Sequence, residues 1–174
     1  MLIKKRVKSL LLVICLCMAS NNALASNSSV QGKIKRLIKT TEERYGIPSG
    51  LLEAIAFVES GINNHAISVA GKPVIATNNK EALKVIADAQ ENGIRNIDVG
   101  VMQLNYRFHS KAFANIQEML NPKNNIEYAA KLLIRLKKQH GTWYAAICNY
   151  HSSKPDHQRK YSYKVVMKWG QKYA

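Results

Sequence analysis

Ser49 to Ser60 reads S-G-L-L-E-A-I-A-F-V-E-S, an apolar helix that closes on a carboxylate. Leu52, Ile55 and Ala56 recur at helical spacing on one face, and Glu59 completes that face, seven residues after Leu52 and four after Ile55. A side chain there points at the core, where glutamate is rarely buried without a reason. Gly61, just past Ser60, is the usual helix stop, so the negative end of the helix dipole faces the carboxyl. Burial and dipole both disfavour the charged form and push the pKa up. A carboxyl that keeps its proton near neutral pH is a general acid. The plain alternative is a salt-bridged or solvent-reaching glutamate at a helix end.

Upstream, Val30 to Tyr45 patterns as a helix with Ile34, Leu37, Ile38, Thr41 and Tyr45 inward and the intervening Lys, Arg and Glu residues in solvent. Gly46-Ile47-Pro48 breaks it, and Ser49 stands where an N-cap belongs. Downstream, Ile62 to Lys72 is rich in Gly, Asn, His and Ser and reads as a loop. Pro73 to Thr77 is a short β-prone run, and Asn78 with Glu81 forms a capping-box start for a helix ending at Asn92-Gly93. Ile94 to Val99 then returns as a second strand beside Val74 to Thr77.

Asn121-Pro122 opens a long helix to about His140, with Ile126, Ala129, Ala130 and Leu133 inside and Glu127 and Lys131 paired outside. Gly141 stops it, and Thr142 caps a helix whose stripe is Trp143, Ala146, Ile147 and Tyr150. Lys154-Pro155 leads into a final helix with Tyr161, Val165 and Trp169 inward. The class is mainly α, with at most one small β-ribbon inserted among helices.

The 174 residues suit one domain. Lys4, Lys5, Arg6 and Lys8 precede an apolar run, Leu10 to Ala19, too short to cross a bilayer. Ala23-Leu24-Ala25 follows with the small-x-small spacing of a signal-peptidase site, so residues 1–25 read as a cleaved signal peptide and 26–174 as the exported domain, periplasmic or secreted, with no stable membrane insertion. Ile14 and Leu16 precede Cys15 and Cys17, which argues against lipidation. Cys148 then remains alone, a small buried hydrophobe with no intramolecular partner. No His/Cys cluster has metal-ligand spacing, so neither metal nor cofactor is expected. Net charge is +15; removing the four basic residues of the signal leaves 22 against 11 acids, or +11. That excess suits a polyanionic setting such as anionic lipid or an acidic wall polymer. Nucleic acid fits poorly, because the lysines are spread along helices and not interleaved with aromatics.

Three polar interruptions stand on otherwise inward, apolar surfaces: Glu59, Gln103 with Asn105 in D-V-G-V-M-Q-L-N (Asp98 to Asn105), and Tyr150. Buried polar groups must find one another or water. Tyr150 is read either as a partner of Glu59 or as a plain core tyrosine. With these residues in place, V-E-S-G-I-N-N-H-A-I-S (Val58 to Ser68), the D-V-G-V-M-Q-L-N stretch, the N-I-x-Y-A-A-K-L-L run from Asn125 and A-I-C-N-Y-H-S-S (Ala146 to Ser153) follow in order. The series resembles the successive motifs of the soluble lytic transglycosylase family, over roughly Val30 to Val166.

The resemblance implies a lysozyme-like, goose-type α+β catalytic domain that cleaves the β-1,4 bond between N-acetylmuramic acid and N-acetylglucosamine in peptidoglycan. Glu59 would be its single catalytic carboxyl, acid first and base afterwards, giving a 1,6-anhydro product in place of the two-carboxylate scheme of most glycosidases. Met102 and Gln103 would line the sugar cleft, Asn105 would support the turn, and Tyr150 would hydrogen-bond and orient Glu59. Ser60 and Ser68 match positions near the site, with helix-cap or loop roles equally open. His151-Ser152-Ser153 replaces the family's Asn-Ala-Gly after the tyrosine, so His151 either takes over a donor role or alters substrate selection. The long link Lys72 to Asn96 resembles that of small members attached to secretion and pilus systems, which makes such a machine a candidate partner of a monomeric enzyme. The rivals are a goose-type lysozyme-like hydrolase, with reducing-end products, and a non-catalytic glycan-binding scaffold.

Overall fold

The computed structural model describes residues 29–152 and 154–171; the signal peptide expected at 1–25 lies outside them. Of the described residues, 29–34 fall in one unit and those from 35 onward in another. Helix α1 runs over 29–45, and its residues from 35 onward belong to the second unit, which carries everything below.

Helix α2, Leu51–Ser60, buries Leu51, Leu52, Ala54, Ile55 and Ala56, each large aliphatic contributing about 1.5–3 kcal/mol by leaving water. Its start is built otherwise than expected. Gly50, not Ser49, is the N-cap, at φ 80, and it offers no side-chain acceptor to the first turn. The Glu42 carboxylate reaches across the Gly46–Pro48 turn instead. Its Oε2 accepts from Gly50 N at 2.8 Å, and its Oε1 from Leu52 N at 2.8 Å and Glu53 N at 3.2 Å. Glu42 is therefore buried, 2% exposed, and does not face solvent with the other charged residues of α1.

The β element has four strands, β1 Ile67–Val69, β2 Lys72–Val74, β3 Ile97–Val99 and β4 Leu104–Asn105, antiparallel in the order β2-β1-β3-β4. The segment expected to be a loop thus contains β1, which hairpins onto β2 through Ala70-Gly71, both at positive φ, as a tight primed turn requires. The strand at Ile97–Val99 exists, but it pairs with β1 (Ile67↔Val99, Ser68↔Asp98) and not with the run after Pro73.

Helix α3, Asn79–Glu91, lies between β2 and β3 and starts as expected, with the Asn78 side chain accepting from Glu81 N. After β4 come a one-turn helix α4, Tyr106–His109, a 3-10 turn at Ser110–Ala112 and a short α5, Ile116–Leu120. Helix α6, Pro122–His140, buries the expected Ile126, Ala129, Ala130 and Leu133. Helix α7, Trp143–His151, is capped by Thr142 as expected. Helix α8, Pro155–Gly170, packs on both α2 and α7, and α7 packs on α6. Tyr161 and Val165 are buried on α8, whereas Trp169 is half-buried and donates from Nε1 to Ser49 O at 2.9 Å. Cys148 is free and half-buried, not fully inside. No helix of the described residues is long and apolar enough to cross a membrane.

Candidate active site

The last turn of α2 holds Glu59. Gly61 at φ 64 ends the helix, its N–H turning back to Ala56 O and Phe57 O, a conformation that costs a residue with a Cβ about 1 kcal/mol or more. Ser60 ties the end down by donating to Ala56 O and Val101 O, at 3.1 and 2.7 Å. The Glu59 side chain is only 9% exposed. Its pKa is raised from 4.5 to about 8, chiefly because burial penalises the carboxylate, with the negative charge of Asp98 adding to the rise. At neutral pH Glu59 holds its proton.

Two phenols approach this carboxyl, Tyr150 and Tyr161. Tyr150 on α7 donates to the Met102 carbonyl at 3.0 Å, not to Glu59. Burial, and next the Glu59 charge, push its pKa well up, so it stays a neutral donor. Tyr161, expected only to fill the core, is the phenol that opposes the pKa rise at Glu59. Its Oη is buried and closes no hydrogen bond of normal geometry among the described residues. A buried O–H without a partner is costly, and the carboxyl it faces is the natural recipient once charged. Reading the inward spacing of Tyr161, Val165 and Trp169 with the rule applied to Tyr150, that a buried phenol needs a partner, was the available signal.

The stretch Gly100 to Gln103 is the turn between β3 and β4, and side chains from three helices hold it. Asn125 of α6, fully buried, donates to Val99 O and Met119 O at 3.0 and 2.9 Å and accepts from Met102 N at 2.8 Å. Ser60 of α2 and Tyr150 of α7 take the Val101 and Met102 carbonyls. Gly100 sits at φ 78, where a Cβ would lie 2.9 Å from Asn125 Nδ2, so the turn is closed against any other residue. Met102 is therefore a core residue, 0% exposed, and its side chain lines no open cleft. Gln103, itself at φ 45, is half-buried and donates from Nε2 to Ala66 O and Gly100 O, which makes it a strut of the turn. Asn105, expected to support the turn, ties β4 to β3 and caps α4: Nδ2 donates to Asp98 Oδ1 and Asn96 Oδ1, and Oδ1 accepts from Arg107 N.

Ser68 lies in β1 opposite Asp98, half-buried. His151, the last residue of α7, places Nδ1 3.8 Å from Glu59 Oε1 and stacks on the Tyr161 ring. Burial lowers its pKa, with Asp98 pulling the other way. Glu59, Asp98, Tyr161 and His151 thus form one corner, assembled from α2, β3, α8 and α7, while Met102, Gln103 and Asn125 form the frame behind it. A groove lined by Gly50, Glu53, Ala54, Phe57 and Lys168 lies along the other face of α2 and includes none of these groups. Chemically, the corner offers one proton at neutral pH from Glu59, a neutral imidazole and a neutral phenol beside it.

Residues 36–167 match the family described as the transglycosylase SLT domain. The chain is also 35% identical over 123 residues to "Protein IpgF" of Shigella flexneri and, to the same extent, to "Protein IpgF" of Shigella sonnei. The match covers 68% of this chain and 66% of each relative, so the chain spans just under two thirds of their length. No solved structure matches.

Proposed function

Because the chain belongs to the transglycosylase SLT family, we propose that it is a peptidoglycan lytic transglycosylase that works through Glu59 alone. The carboxyl protonates the glycosidic oxygen between N-acetylmuramic acid and N-acetylglucosamine as the C1–O4 bond breaks. The carboxylate so formed takes the proton of the muramoyl 6-hydroxyl, whose oxygen closes on C1 as the 1,6-anhydro ring, and Glu59 ends protonated as it began. The observation that carries this is the buried Glu59, whose pKa of about 8 supplies an acid at neutral pH and a willing base once it is ionised.

Asp98 favours a second reading. It is a carboxylate whose charge reaches Glu59 and His151, and a second carboxylate is what a hydrolase uses to direct water. On either reading the +11 surface of the exported form suits an anionic wall, and the place of action is the periplasm, reached through the 1–25 segment. A secretion or pilus machine is the partner proposed from the long link between β2 and β3.

Mass spectrometry of the sugars released from purified sacculi tests both. Anhydro-muropeptides from the native protein, and none from a folded Glu59→Gln variant, are expected. Reducing ends in their place favour the hydrolase. Release that survives Glu59→Gln removes Glu59 from the chemistry, and no release from the native protein leaves the non-catalytic scaffold.

A further inference from the structure

The steps above leave His151 without a task. Half of its side chain is exposed, and Nδ1 stands 3.8 Å from Glu59 Oε1, beyond hydrogen-bond distance. Its ring lies nearly parallel to that of Tyr161, centroids 4.7 Å apart and planes 11° apart. A stacked, half-exposed ring can slide, whereas one locked by hydrogen bonds at both nitrogens cannot. The resting distance suits a carboxyl that holds its proton and presents little charge.

The situation changes when Glu59 gives that proton away. The carboxylate left behind sits in the same apolar surroundings that penalise it, with Asp98 repelling it. Charge-assisted hydrogen bonds close to about 2.7–2.9 Å, so the imidazole needs to travel only about 1 Å to meet it. Tyr161 Oη, buried and unpartnered among the described residues, is the other donor within reach. We propose, building on the lytic reading of Glu59, that His151 is a positioning residue that slides along the Tyr161 ring to donate its Nδ1–H to the Glu59 carboxylate as it forms, and withdraws when the carboxyl is reprotonated.

The groups facing the imidazole are Glu59 from α2, Asp98 from β3, and Tyr161, His157 and Lys164 from α8. Burial, His157 and Lys164 keep His151 neutral around pH 7, against the pull of Asp98. Neutrality matters to the mechanism. A cationic imidazole would hold Glu59 as its anion and spoil the acid step, whereas a neutral N–H stabilises the anion only while it exists. It also leaves that anion basic enough to accept the proton of the 6-hydroxyl.

Two variants separate donation from stacking. His151→Phe keeps a ring on Tyr161 and has no donor, whereas His151→Asn keeps an N–H of similar reach and has no ring. Ionisation of Glu59, followed by 13C NMR of carboxyl-labelled glutamate, is read in each folded variant beside the alkaline limb of kcat/KM on sacculi. In His151→Phe the Glu59 pKa is expected to rise by about half a unit or more and kcat to fall about tenfold. In His151→Asn the Glu59 pKa is expected to return to within about 0.2 unit of the native value and kcat to within about threefold. A His151→Phe protein with native ionisation and rate overturns the proposal, as does a His151→Asn protein no better than His151→Phe. Failure of the lytic reading shows separately, in sacculi that yield nothing with the native protein or still yield product with Glu59→Gln. The NMR titration decides the His151 contact in that case too.

Discussion

Two glutamates stand at opposite ends of helix α2, and both are withdrawn from water. Glu42 meets the N-terminal end, 2% exposed, and is surrounded by backbone N–H groups of Gly50, Leu52 and Glu53 that it accepts from. Glu59 sits in the last turn, its side chain 9% exposed, with a phenol that does not close on it, an imidazole 3.8 Å away and a like charge nearby. The helix supplies positive potential to one and negative potential to the other. The same side chain is thus a structural cap at one end and a proton store at the other. Residue type decided neither outcome; the partners supplied at each end did.

The largest effects should separate the two. Glu59→Gln removes the proton and is expected to lower release from sacculi by about 10²–10⁴-fold with the fold intact. Glu42→Gln should leave turnover nearly native at temperatures where the protein is folded. If Glu42→Gln lost activity as heavily as Glu59→Gln while still folded, the two ends would not have different jobs.

The Glu59 end also carries a pH-dependent cost. Its folded pKa of about 8 lies above the ordinary 4.5, so between those values the folded protein holds a proton that the unfolded chain has released. Stability therefore falls as pH rises through that window and levels off above about 8. The cost is on the order of 3–5 kcal/mol, and Glu59→Gln is relieved of it. Thermal melts of the two proteins should differ little at pH 4 and by about 10 °C at pH 8.5, with the variant the more stable. Parallel curves would mean that Glu59 reaches water in solution.

How much of this the sequence disclosed follows the same division. Glu59 was legible because its neighbours Leu52, Ile55 and Ala56 define a face, and a carboxyl on that face has few explanations. Glu42 was not, because it lies beside Glu43 and Arg44 in a stretch that patterns as solvated, and its partners come from another helix. The helices with strong caps, at Asn78, Asn121 and Thr142, are legible nearly to the residue, since a cap and the N–H groups it accepts from are local. The sheet was misread for the opposite reason: β1 is three residues, and its partner β3 lies beyond a whole helix. Tyr150, open in the sequence between a partner of Glu59 and a core tyrosine, donates to Met102 O, and Tyr161 is the phenol that faces Glu59; nothing local tells which of two inward phenols reaches the helix end. Asn125 shows the same limit, an isolated polar residue on an apolar stripe that donates to the β3 end and α5 and accepts from the turn.

At the other end of α2 the effect is mechanical. Glu42→Ala strips the acceptors from the first turn of the helix, where Gly50 has no side chain to replace them. Leaving buried N–H groups unpaired costs about 1–3 kcal/mol, so a destabilisation of about 2–3 kcal/mol is expected by urea melts. A Glu42→Ala protein as stable as the native one would show that water satisfies those groups as well as the carboxylate does.

The smallest effect supplies the control. Glu53 is a third glutamate at this helix and, like Glu59, belongs to α2 itself, in its first turn, 3.5 Å from Lys35 Nζ. It has the favourable end of the dipole and a cationic partner, yet both side chains keep substantial contact with solvent, 34% exposed for Glu53 and 52% for Lys35. Exposed ion pairs are worth little, because water screens them and two long side chains must be ordered. Glu53→Gln, which keeps the backbone N–H that Glu42 accepts from, is expected to cost less than about 1 kcal/mol. That cost should shrink further in about 1 M salt, where the screening length falls to about 3 Å. A larger, salt-resistant loss would mean that charge on α2 matters wherever it is placed, and the contrast between the buried pair would then reflect the helix and not the partners each glutamate meets.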